Sequence, residues 1–277
     1  MLNEKELEEV HKRLSKKVEA YIKIIREMYN DYMSPYKKKQ LDEITDYSQV
    51  LKIHDYGTIN GYATYNDINM PLCADKALDK MKKVPFYGIH KKHKTYKNED
   101  LIINNNTFFD YVFHVVISGT DTEGYYEDLL LHETMHFCGS DGASALKEGL
   151  NELLTRKVAY AYGLRTSACG YPKEVKLAYE LEKILGEEVM TQIAFINNEE
   201  AVLKYLEDVR GKSAAKLYKR VSEAAEREFD EKYYKHMDKF NGVTGVLKKI
   251  AYYKRINYKE AYKIIEDYKN EKKKVKY

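Results

Sequence analysis

The stretch LLLHETMHFCGSDGASALKEGLNELLTRK (Leu129–Lys157) places two histidines, His132 and His136, four residues apart, with Glu133 directly after the first. A pair of glutamates with the same spacing, Glu148 and Glu152, follows downstream. On a helix, residues i and i+4 stand one above the other on one face, so two imidazoles can offer nitrogens to a single ion. Glu133 is rotated about 100° from His132, so it flanks such an ion without ligating it. A carboxylate there can hydrogen-bond a bound water and take its proton. This is the physical content of the His-Glu-x-x-His signature. The plain alternative is a solvated helix with accidental spacing. The apolar run Leu129-Leu130-Leu131 ahead of His132 speaks against it, because it marks the helix as buried.

Outward from this stretch, Thr120 and Glu123 form a Thr-x-x-Glu capping box that predicts a helix from near Asp121. It would carry Tyr125 to Phe137 and stop at Gly139. GSDG reads as a turn, and a second helix is predicted from Ser144 to Tyr162, closed by Gly163. Upstream, YVFHVVISG (Tyr111–Gly119) reads as a buried strand, with His114 on the face of Val112 and Val116. A core histidine is its first reading. The region from Asp55 to Thr120 has the glycine, asparagine and tyrosine mix of short strands and turns.

Asn3 to Met33 reads as one long helix, with Leu7, Val10, Leu14, Val18, Tyr21, Ile22 and Ile25 at helical spacing. Ser34-Pro35 ends it, since proline disfavours the helical region for the residue before it. A second helical piece is predicted over Lys38 to Ile53. Everything beyond Pro172 reads as helix, punctuated by glycines 186, 211, 242 and 245. The layout is α+β and mostly helical: a helical start, a small β-containing middle and a helical C-terminal half. The expected segments are 1–53, 54–170 and 171–277.

The 277 residues carry 47 basic against 44 acidic side chains, a net charge of +3, so charge gives no reason to expect a nucleic-acid partner. The basic runs HKKHKTYK (His90–Lys97) and NEKKKVKY (Asn270–Tyr277) read as a solvated loop and a charged terminus. The amino-terminal MLNEKELEEVHKRL lacks the apolar core of a signal peptide, and no stretch is long enough to span a bilayer. Cys73, Cys138 and Cys169 are odd in number and widely spaced, which disfavours a disulfide framework and suits a reducing cytoplasm. Oligomeric state has no signature in the chain.

A catalytic zinc takes three protein ligands and keeps one position open. The His-Glu-x-x-His-x-x-Gly-x-x-His pattern fails here: Gly139 matches its glycine, but Gly142 holds the last ligand position and Asp141 falls one residue early. The helix SALKEGLNELLTRK resembles instead the second active-site helix of the gluzincins, the thermolysin and zinc-aminopeptidase group of zinc metallopeptidases. A closer likeness is to small bacterial or phage-borne homologues with a Glu-Gly-x-x-Glu-x-x-Thr helix, matched by Glu148, Gly149, Glu152 and Thr155. Lys147 departs from the asparagine that precedes the ligand in that group, and the interval from His136 to Glu148 is short for it.

The resemblance implies zinc on His132, His136 and Glu148, with Glu152 bracing a ligating imidazole; Glu152 as the ligand itself is the reverse assignment. It implies a small β-containing half packed on a zincin active-site helix, with residues 54–170 as catalytic core. It further implies an endopeptidase acting on peptide or protein substrates, with Glu133 as general base. A tyrosine or histidine commonly steadies the oxyanion in such sites; Tyr171 is the first candidate, with Tyr160, Tyr162 and His114 as rivals. Arg156 suits either a substrate carboxylate or an ion pair with Glu152. Cys138 points off the ligand face and reads as a small apolar residue. Two other readings compete: a zinc-fold binding protein without turnover, and a metal-free helical interaction protein.

Overall fold

A computed structural model describes residues 4–54, 62–63, 68–71, 122–139, 144–164, 171–229 and 256–274. The described residues are mostly helical, with one small sheet. The strand expected over residues 111–119, with His114, lies outside them. So do Thr120, Asp141, Gly142, Cys73, Cys169, the run at 90–97 and glycines 242 and 245. The chain divides into two compact units, Met1–Asp141 with Leu154–Gly170, and Gly142–Leu153 with Tyr171–Tyr277.

In the first unit, helix α1 spans Glu4–Tyr29. It buries Leu14, Val18, Tyr21, Ile22 and Ile25 along one stripe, as its helical spacing requires. A 3₁₀ turn, Asn30–Tyr32, finishes it. Ser34 is extended, with φ −62° and ψ 149°, the conformation proline imposes on its predecessor. The same residue then starts α2, Pro35–Glu43: its hydroxyl accepts from the Lys37 amide at 3.1 Å, while Pro35 sits where a missing N–H is harmless.

The helix predicted over Lys38–Ile53 is therefore misplaced at both ends. It begins at Pro35, stops at Glu43 and gives way to a 3₁₀ turn, Tyr47–Gln49, and a strand, β1, Leu51–His54. The cause is local and tertiary together. The Asp46 side chain accepts from the Ser48 amide at 2.9 Å and turns the chain, a habit of aspartate. β1 then pairs in parallel with β3, Ile68–Pro71, which also pairs antiparallel with β2, Tyr62–Ala63.

Helix α3 spans Thr122–Cys138 and α4 spans Ala145–Tyr162. Within the first unit α1 packs on α3 and β1, and α3 packs on β2 and β3. His11 hydrogen-bonds through Nε2 to the carbonyl of Leu51 at 2.7 Å. The Tyr162 hydroxyl donates to Glu27 at 2.6 Å, and the Lys37 ammonium lies 4.8 Å from the centre of the Phe137 ring.

The second unit contains the start of α4 and helices α5 (Pro172–Leu185), α6 (Glu187–Ala194), α7 (Glu199–Arg210), α8 (Lys212–Phe229) and α9 (Lys259–Lys274). Gly186 joins α5 to α6 at φ 99°, where a side chain would be strained. α8 packs on α7 and α9, and α9 packs on α5. The α5 contact is polar as well as apolar. Tyr258, just ahead of α9, donates its hydroxyl to Glu174, a carboxylate with no exposure. Lys173 donates to the carbonyl of Ile256, and Lys269 pairs with Glu180 at 2.9 Å. Burial, then the Glu174 charge, pushes the Tyr258 phenol far above its ordinary range, so it remains a donor at any physiological pH. Among the described residues no helix is long and apolar enough to cross a membrane.

Candidate metal centre

Both helices of the opening stretch appear where the capping signals put them. α3 ends as the Gly139 amide bonds back to the Met135 carbonyl at 2.9 Å. α4 ends at Gly163, with φ 65°. A surface helix exposes one face; the middle stretches of these two are enclosed on all faces. From Leu130 to Cys138 only His136 is more than buried, and from Gly149 to Ala159 every residue of α4 is buried.

Their enclosed residues include polar and charged ones. His132 is 6% exposed, Glu133 5%, Glu152 1%, Arg156 2% and Lys157 1%. Thr134 satisfies its hydroxyl on the Leu130 carbonyl at 2.6 Å. Taking a charge out of water is expensive, so buried charges are paired or bind metals.

His132 and His136 stand edge to face, with ring centres 4.8 Å apart. One ligand atom from each of His132, His136 and Glu148 lies within 4.8 Å of the other two. Glu152 is one turn further along α4 from Glu148 and is the more deeply buried of the two. Glu148 is half-buried, in the first turn of its helix, where the aligned peptide dipoles favour negative charge.

Tyr171 caps α5 from the left-handed region, with φ 48° and ψ 47°, a conformation uncommon for a residue with a side chain. It is half-buried. The Tyr162 hydroxyl is engaged by Glu27, and burial with that carboxylate raises its proton affinity. Tyr160 is half-buried. The Cys138 thiol has no exposure, and burial pushes it up to about 12, so it packs as a neutral apolar group.

Three contacts around Glu148 reach residues distant in the chain. The Ala145 amide donates to Glu226 of α8 at 2.8 Å, across 81 residues. The Lys147 ammonium donates to the carbonyls of Ile193 and Ile196 at 2.6 and 2.7 Å. Gly149 passes the backbone of α5 so closely that an added Cβ would lie 2.3 Å from the Glu174 carbonyl carbon. Lys147 thus has a packing task of its own. Only the glycine carried a signal in the sequence.

Gly149→Ala makes the balance measurable. Alanine would gain about 1 kcal/mol of helix propensity, whereas overpacking costs about 1–3 kcal/mol. Here the obstacle is backbone rather than a flexible side-chain tip, which places the cost at the upper end. We expect a net loss of about 1–2 kcal/mol in denaturant unfolding. An unchanged or raised midpoint would show that α4 and α5 are looser than described.

No protein-family model, curated protein or solved structure matches the chain, and its function is read from these residues.

Proposed function

We propose that the chain is a zinc-dependent peptidase of the gluzincin type, an endopeptidase that cleaves peptide bonds in peptide or protein substrates in the cytoplasm. His132, His136 and Glu148 hold the metal, Glu133 is the general base, and Glu152 braces an imidazole. One observation carries this reading: three ligand atoms of a nitrogen-and-oxygen set converge to within 4.8 Å of one another, two of them from the helix that also carries the buried Glu133.

The donor set fits zinc. Two imidazoles and one carboxylate are the ligands of thermolysin-like catalytic sites, with a fourth position left for solvent or substrate. Bound there, zinc provides a Lewis acid and a water of lowered pKa.

The remaining work belongs to the chain. Glu133, itself buried, would accept the proton of the attacking water and return it to the leaving amine. Low exposure around it limits competing solvent and strengthens each electrostatic contact. Glu152, one turn from Glu148, is suited to hold the second N–H of a ligating imidazole, fixing its tautomer and direction. Tyr171 is the proposed donor to the developing oxyanion.

Metal analysis of the purified protein, combined with a peptide-library digest, tests the proposal. The expected result is about one zinc per chain and cleavage that stops when a chelator removes the metal. A protein that binds no divalent cation, or binds it and cuts nothing, would overturn the peptidase reading.

A further inference from the structure

We infer that Glu226 and Lys147 are positioning residues that set Glu148 as a metal ligand by clamping the first turn of α4. The inference rests on Glu148 being a ligand, as proposed above. The first four amides of a helix have no partner within it, so a ligand carried there stands on the part most prone to fray. Glu148 is at that point: its amide makes a helical bond to the Ser144 carbonyl at 2.9 Å, and the amides of the three residues before it have no partner within the helix. Ser144 helps only weakly, its hydroxyl lying 3.3 Å from the Lys147 amide.

Support comes instead from distant elements. Glu226, on α8, accepts from the Ala145 amide at 2.8 Å and so caps α4 from outside. Lys147 reaches the Ile193 carbonyl at the end of α6, which also accepts from the Ile196 amide at 3.2 Å, and the Ile196 carbonyl just beyond it. Gly149 lies against the backbone of α5. The residues immediately before and after Glu148, and the one three before it, are therefore fixed to three different helices. A metal constellation must be held within about 0.5 Å of its working geometry, and a frayed turn would not meet that.

An ordinary cap would add stability without affecting the metal, and the two roles separate experimentally. Zinc affinity is measured by competition with a chromophoric chelator, and ligand geometry by the visible spectrum of the cobalt(II) form. We expect Glu226→Ala to weaken zinc by about 10–100-fold and to change the cobalt spectrum. Glu226→Gln, which keeps an acceptor oxygen for the Ala145 amide, should stay within about threefold of wild type.

If Glu226→Ala lowers the thermal midpoint of the metal-free protein but binds zinc and cobalt as wild type does, the cap is only structural and the inference fails. Should Glu226→Ala not fold, Lys147→Met decides the matter by the same two readouts, with an unchanged affinity and spectrum counting against the inference. A wild-type protein that binds neither metal would defeat the underlying site, a result distinct from either of these.

Discussion

Glu133→Gln is expected to lower peptide hydrolysis by about 10²–10⁴-fold, the range attributed to a positioned general acid–base group, while zinc content stays at the wild-type level. Glutamine matches glutamate in size and keeps its hydrogen-bonding reach, so it fits a site where the native side chain is only 5% exposed. It cannot accept a proton. Because Glu133 lies about 100° around the helix from His132, its replacement leaves the two imidazoles in place. The measurement pairs turnover on a peptide that the wild type cleaves with metal analysis of both proteins. Equal turnover would remove Glu133 from the chemistry. Loss of metal together with turnover would reassign it to the ligand set.

The second large effect is on stability. A ligand that binds only the folded protein stabilises it by about 2.7 kcal/mol when its free concentration is 100 times Kd. For a chain of this size, unfolding as one cooperative step, that raises the thermal midpoint by roughly 5–10 °C. His136→Ala should abolish the zinc-dependent rise. His136 is the better test of the two histidines because it is only half-buried, so its truncation empties little of the core, whereas His132 is enclosed. A midpoint that still climbs with zinc in His136→Ala would place the metal elsewhere.

Legibility followed the range of the interactions involved. The helices Thr122–Cys138 and Ala145–Tyr162 lie within a residue or so of their expected limits, because Gly139 and Gly163 are local stop signals. His132, Glu133 and His136 share one helix, and five residues suffice to suggest their relation. Glu148 needed more, since only the spacing of a known helix pattern nominated it ahead of Glu152. The overrun to Ile53 has the opposite origin. Nothing in YSQVLKIH declares that Leu51 will pair with Ile68, and β pairing at a distance overrides local preference. Glu226 was illegible for the same reason: a cap 81 residues away leaves no mark near the helix it closes.

The Tyr258–Glu174 bond carries a consequence for how the protein matures on the ribosome. Its donor is made 84 residues after its acceptor, a delay of about 4–17 s at ordinary rates of synthesis. During that interval the glutamate waits without this phenol, and the stretch of backbone that abuts Gly149 lacks its final brace. That part of α5 gains the bond only after helix α8 has been made and the chain has reached the start of α9.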